Sequence, residues 1–329
     1  MARAWHLKSR PKGEPVIGDF ELKGLPDQAL ADGEIRVRNL WLSVDPYMRG
    51  RMNDVKSYVP PFQIGEPMTG GAVGEVIESR NPGFAVGDKV LHMAGWRDEA
   101  IVAPELMPTK LPDLGVPDET WLHNLGLTGG TAYFGLLRAA SAKEGDIVFV
   151  SAAAGAVGSA VVQIAKLKGM TVIGSAGGPD KCAWVKELGA DACIDYKAGP
   201  VLPQLAEAAP KGIDVYFDNV GGEHLDAAFA TARQNARFAI CGMIDSYNDG
   251  KPQELRYLIR TIPTRLRMQG FIYTDYISEF PAFTQEMAGW VKAGKVTART
   301  TVKEGLESTV DAFLGLFKGS NTGKMLVKL

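Results

Sequence analysis

The sequence predicts an α/β protein: an irregular, β-rich first domain, then a domain built on a doubly wound parallel sheet. Three features point to it. The first third has a strand-and-turn texture, the region after residue 146 alternates short strands with helices, and a turn of small residues joins the first of those strands to its helix. A length of 329 residues is also about twice the ~150-residue prior for one domain, so two are expected.

Taken in order, residues 35–42 alternate with period two, as a half-buried strand does, and residues 70–78 continue the theme. Asn81-Pro82-Gly83 is a turn, and residues 86–90 read as a turn into another strand. Turn residues cluster at 112–117 and mark a candidate boundary. Beyond it, residues 147–151 form a short buried strand and 157–168 a helix. Residues 171–175 make the next strand, and 181–188 a helix closed by Gly189. Strand signals return at 192–195, 215–218 and 238–241, roughly every 20–25 residues, which implies βαβ units and a parallel sheet. A last helix places Leu306, Val310, Phe313, Leu314 and Phe317 on one face, with Gly319 as its cap. Residues 325–327 then read as a strand, and the tail is expected to fold back onto the first domain.

Composition narrows the function. Hydrophobic residues at 46% and charged residues at 22% suffice for a sizeable core and argue against disorder. Lys and Arg total 36 against 38 Asp and Glu, so the basic excess of a nucleic-acid binder is missing. Cys182, Cys193 and Cys241 lie far apart with no C-x-x-C pair, which suggests neither a structural zinc site nor a disulfide framework. Free thiols fit a reducing compartment, and residues 1–6 lack the apolar run of a signal peptide. Residues 147–165 carry no charge, but Gly155 and Gly158 divide them into strand, turn and helix rather than a membrane span. A cytoplasmic protein with neither membrane nor nucleic-acid partner is expected.

The strongest local signal is the 151–158 loop, Ser-Ala-Ala-Ala-Gly-Ala-Val-Gly. A dinucleotide pyrophosphate needs small residues there, so that the backbone can approach it and free N–H groups at the helix start can bind its charge. Gly155 and Gly158 take the second and third glycine positions of G-x-G-x-x-G, with Ala153 in the first. Small-residue turns also serve packing alone, but the strand–turn–helix context favours dinucleotide binding. At the end of the second strand, where an NAD enzyme usually carries Asp or Glu, residues 173–179 are uncharged and Lys181 follows, which favours NADP. Alternatively, Asp180 caps the next helix and Lys181 is its solvated first turn. No cysteine precedes residue 182, and His92 and His123 have no nearby thiol or second histidine. His92 therefore reads as structural, and the chemistry is expected to run without a metal.

In combination, Val44-Asp45-Pro46-Tyr47-Met48-Arg49, the 151–158 loop, Phe217-Asp218-Asn219-Val220-Gly221-Gly222 and Asn321-Thr322-Gly323-Lys324 resemble a known family along essentially the whole chain. It is the zinc-independent medium-chain dehydrogenase/reductases of the prostaglandin and leukotriene reductase type, with plant double-bond reductases and bacterial curcumin reductases. The resemblance implies a GroES-like catalytic domain over 1–123 and an NADP-binding Rossmann domain over 124–296, meeting at a cleft, with 297–329 returning to the first domain. It also implies bound NADPH and a homodimer. Gly155, Ala156, Val157 and Gly158 would meet the pyrophosphate, and Lys181 and Tyr196 the adenosine phosphate. Asn219, Cys241, Gly242, Met243, Ile244, Ser246 and Tyr247 would line the adenosine and nicotinamide paths. Phe271, Ile272, Tyr273 and Asn321 would complete the nicotinamide side. Bland readings stand beside these: Tyr196 as a half-buried surface aromatic, Phe271 as core, Asn321 as the holder of a turn.

The implied chemistry is reduction of a carbon–carbon double bond conjugated to the carbonyl of an enone or enal. Hydride goes to the β carbon, an enolate develops, and a proton reaches the α carbon. Tyr47 is the candidate for a substrate-side hydroxyl. Tyr257 is a second candidate, although a packed helix aromatic is the stronger reading of it. Eukaryotic relatives commonly carry a tyrosine where this chain has Ile262-Pro263-Thr264-Arg265, so no general acid is assigned, and water or a ribose hydroxyl is left as proton source. An NADPH-dependent quinone reductase and a non-catalytic NADPH-binding protein are the alternatives.

Overall fold

Contacts divide the chain into two units in the computed structural model, which describes residues 1–250 and 252–329. The first unit comprises residues 1–122, 300–321 and 325–329; the second comprises 123–299 and 322–324.

In the first unit, β1 (Arg3–Leu7) pairs antiparallel with β2 (Phe20–Gly24). Then come β3 (Ile35–Ser43), a one-turn helix α1 (Tyr47–Arg51), β4 (Ala72–Ser79), β5 (Lys89–His92), β6 (Glu99–Val102) and β7 (Thr109–Lys110). β3 is the hub, antiparallel to both β4 and β6, because its alternate residues Ile35 and Val37 are fully buried.

The second unit opens with α2 (Leu127–Phe134) and then alternates: β8 (Ile147–Val150), α3 (Ala156–Leu167), β9 (Thr171–Ala176), α4 (Pro179–Glu187), β10 (Ala192–Asp195), α5 (Val201–Ala208), β11 (Ile213–Asp218), α6 (Gly222–Thr231) and β12 (Ala232–Ile240). A short α7 (Thr261–Thr264), β13 (Arg267–Gly270) and α8 (Phe280–Lys292) complete it. The sheet order is β10-β9-β8-β11-β12-β13 with every pair parallel, the 3-2-1-4-5-6 order of doubly wound dinucleotide folds. β8 is apolar throughout because helices cover both faces of such a sheet. Phe149 stacks on Tyr216 at 5.1 Å in the core beneath α5 and α6.

The chain ends with β14 (Thr300–Glu304), α9 (Thr309–Phe317) and β15 (Lys324–Lys328). β15 pairs antiparallel with β3, matching Leu326 to Ser43, and α9 drives Phe313 against Phe20 and Trp96 in the first unit's core. The Trp5 indole N–H donates to the Leu306 carbonyl at 2.8 Å, tying β1 to the same segment.

Some sequence expectations need correcting. α4 begins at Pro179, two residues early, because proline suits the first helical position and Gly178, at φ +102°, supplies the turn before it. Asp180 is therefore inside the first turn rather than its cap, and no side chain caps that terminus. β12 starts at Ala232 and stops at Ile240, since the Cys241 N–H turns instead to the Asp218 carbonyl at 2.9 Å. Tyr257 is not a packed helix aromatic: it precedes a single 3-10 turn (Leu258–Arg260) and is 37% exposed. No described helix is long and apolar enough to cross a membrane.

Candidate functional site

The site begins where β8 ends. Ala152 adopts φ +48°, the Gly155 N–H closes onto the Ala152 carbonyl at 2.8 Å, and α3 starts with Gly155 as its N-cap. A Cβ on Gly158 would lie 2.3 Å from the Ala152 oxygen and 2.8 Å from the Ala153 Cα, so only glycine lets helix and turn touch. The Ala156, Val157 and Gly158 N–H groups have no carbonyl four residues back within the helix. The first turn holds no acid and no capping side chain, which is the requirement of an anion site. Ala153 takes the place of the usual first glycine because room is made elsewhere: a Cβ on Gly174 of β9 would lie 2.9 Å from the Ala153 methyl. On the far side, the Gly323 N–H donates to the Ala154 carbonyl at 2.8 Å.

Asp218, fully buried at the end of β11, gathers the neighbouring loops. Its Oδ1 accepts from Tyr216 Oη at 2.7 Å, the Gly221 and Val220 N–H groups at 2.8 and 2.9 Å, and Ser151 Oγ at 3.2 Å. Burial pushes its carboxyl up, against the pull of these donors. Ser151 in turn fixes Asn219, whose N–H donates to Ser151 Oγ at 2.9 Å and whose side-chain amide donates to the Ser151 carbonyl at 2.8 Å. The 241–247 segment is laid along this loop. Cys241 and Gly242 donate to the Asp218 carbonyl, Ile244 to Asn219, and Met243 to the Tyr247 hydroxyl at 3.3 Å; Ser246 Oγ donates to the Met243 carbonyl at 3.1 Å. Asn219 and 241–247 therefore share the carboxyl edge of the sheet with the glycine turn, where such folds bind ligands. Ser151 and Asp218 escaped sequence reasoning as positioning residues.

The remaining candidates separate into groups. Lys181 is half-buried on α4, with burial lowering its pKa, and Tyr196 stands just beyond β10, 42% exposed. The Phe271 ring lies where a Cβ on Gly135 would come within 2.3 Å, so it is a buried residue seated on glycine. Tyr273 uses Gly130 in the same way and stacks on Phe280 at 4.4 Å, while the Ile272 N–H between them donates to Asp275. Asn321 is half-buried in the turn after α9. Tyr47 opens α1 in the first unit, where burial pushes its phenol up. The charge of Arg51, one turn on, opposes that rise, and its Nε donates to the Pro60 carbonyl and its Nη1 to Thr69 Oγ1, both at 3.0 Å. Tyr257 shares none of these contacts; its N–H donates to Asp226.

Burial holds His92, His123 and His224 neutral. Desolvation lowers His92 to about 3 and both His123 and His224 to about 4. His224 pairs with Ser175 Oγ at 2.8 Å. Among the described residues, no group of three or more His, Cys, Asp or Glu side chains is gathered to hold a metal ion.

Comparison with known proteins places this geometry among relatives. One family profile, described as the N-terminal domain of oxidoreductase, matches residues 3–109, and another, described as zinc-binding dehydrogenase, matches residues 156–289. The NADPH-dependent curcumin reductase of Escherichia coli (strain K12) is 43% identical over 99% of this chain and 96% of its own. The 2-alkenal reductase (NADP(+)-dependent) of Nicotiana tabacum is 41% identical, covering 98% of this chain and 95% of its own. The crystal structure of CurA in complex with NADPH from Vibrio vulnificus is 42% identical, with a TM-score of 0.93 over 99% of this chain and 98% of that one.

The neutral histidines generate a pH dependence. Each takes up a proton near 6.5 when unfolded but resists doing so in the fold, so the unfolded state binds more protons as pH drops. Stability should be insensitive to them above pH 6.5 and fall between 6.5 and about 4. His224 alone should contribute about 2–3 kcal/mol of that loss. Urea midpoints measured across this range should fall steadily, and His224→Gln should flatten the slope. A midpoint that stays constant from pH 6.5 to 4 would contradict the assignment.

Proposed function

The chain belongs to the prostaglandin reductase and enoyl reductase family of medium-chain dehydrogenases/reductases, and from that membership we propose that it reduces the carbon–carbon double bond of α,β-unsaturated ketones and aldehydes with NADPH. The observation that carries the reading is the Gly155–Gly158 cradle in a chain more than 40% identical, end to end, to reductases described as NADPH- or NADP(+)-dependent. Quinone reduction has only the fold behind it, since the quinone oxidoreductases among the compared structures are 22% identical or less.

NADPH, when bound, supplies the hydride. The chain supplies the rest. In this reading the glycine turn admits the pyrophosphate against the Ala156–Gly158 N–H groups. Lys181 balances the adenosine phosphate with Tyr196 beside it, while Asn219 and the 241–247 segment, held by Asp218 and Ser151, define the path onward. Phe271 and Tyr273 give the nicotinamide side a rigid apolar wall because glycines seat both rings. Tyr47 donates to the carbonyl oxygen on which enolate charge develops, and its raised pKa keeps that proton in place at neutral pH. Tyr257 has no assigned part. A donor aimed at that oxygen stabilises the enolate that forms when hydride reaches the β carbon.

The working unit in this proposal is a cytoplasmic homodimer. β13 is an edge strand exposed along its whole length; its Met268, and Leu258, Ile259 and Ile262 just before it in the chain, are 48–72% exposed. A bare edge flanked by apolar side chains suits pairing with a second copy about a twofold axis.

Reduction of a small enone with hydride-deuterated NADPH should place deuterium on the β carbon of a saturated ketone, with the α hydrogen from solvent. Deuterium on the carbinol carbon of an allylic alcohol would refute the assignment. Tyr47→Phe should lower kcat/KM about 10- to 100-fold with NADPH affinity unchanged. Separately, sedimentation should show a dimer that Ile262→Asp converts to monomer. A monomeric unmodified protein at micromolar concentration would rule out the dimer.

A further inference from the structure

The adenosine end of the second unit holds a second lysine that the glycine pattern does not single out. β10 ends with Asp195 opposite Ala176, the last residue of β9, and the Tyr196 N–H continues onto the Ala176 carbonyl at 3.3 Å. Asp195 Oδ1 accepts from the Gly178 N–H at 2.8 Å and from the Lys197 N–H at 3.0 Å, clamping the 177–178 turn against residues 195–197. The turn is bare on that side. A Cβ on Gly177 would lie 2.6 Å from Tyr196 Oη and 3.0 Å from Lys197 Cε. Lys197 therefore runs along the turn from which α4 departs, and its charge reaches Lys181, where it is the second influence after burial lowering that lysine's pKa.

We propose that Lys197 is a second cation for the 2′-phosphate of NADPH and, with Lys181, sets the preference for NADPH over NADH. The inference rests on the NADPH reading above. Lys197 brings a second positive charge to the glycine turn that leads into Lys181. A phosphate monoester carries about −1.5 to −2 charges at pH 7, more than one lysine neutralises, and offers three acceptor oxygens to donors from two directions. The bare ribose hydroxyl of NADH offers Lys197 no charge.

Calorimetric titration of the full-length protein with 2′,5′-ADP and with 5′-AMP tests this without turnover. The unmodified protein should bind 2′,5′-ADP far more tightly than 5′-AMP. Lys197→Gln should weaken 2′,5′-ADP about 5- to 30-fold while moving 5′-AMP less than about twofold, and Lys197→Arg should recover most of the loss. If Lys197→Gln binds 2′,5′-ADP as tightly as the unmodified protein while Lys181→Gln loses the preference, the second cation is refuted and the NADPH reading survives. If the unmodified protein does not distinguish the two nucleotides, the NADPH reading of this end fails and the inference falls with it.

Discussion

The contact between the Ala152 carbonyl and the first turn of α3 is the constraint on which the rest of the site depends. Hydrogen on the Gly158 Cα is all that fits there, with a Cβ 2.3 Å from the carbonyl oxygen. That closeness lets the turn reverse within four residues and leaves the helix N–H groups directed outward rather than covered by side chains. Around it the second unit accommodates its own departures from pattern: Ala153 replaces a glycine because Gly174 on the adjacent strand stands back.

A buried carboxylate turns this local geometry into a site. Asp218 cannot be solvated, so it must collect donors, and those within reach belong to Ser151, Tyr216, Val220 and Gly221. Loops leaving β8 and β11 are thereby fixed to each other, and the Asp218 carbonyl adds the one leaving β12. Positions that would recognise different parts of one extended cofactor are thus set by a single hydrogen-bonded centre.

Much of this was legible in the residues. β8 is a run of four apolar residues ahead of a glycine turn, and that pattern has few other solutions than a buried strand feeding a helix. The amphipathic residues of α9 show in the same way. What stayed hidden depends on pairing across long sequence separations. Ser151 and Asp218 are 67 residues apart and meet only because β8 and β11 are neighbours. Lys197 reaches the Gly177 turn only because β10 lies beside β9. β12 opens with Ala-Arg-Gln-Asn, a polar start without alternation, so its true length was invisible. The one-residue logic of Gly178 and Pro179 decided the start of α4 against a plausible capping aspartate.

If the bare backbone at Gly158 is what lets the second unit bind the nucleotide, an added methyl there should weaken NADPH binding. Direct titration of Gly158→Ala with NADPH tests it most simply, alongside far-UV circular dichroism to confirm an intact fold. At least about a 30-fold loss of affinity with secondary structure retained is expected, since an added methyl must displace the turn that would receive the pyrophosphate. Unchanged NADPH affinity in a folded Gly158→Ala protein would contradict it.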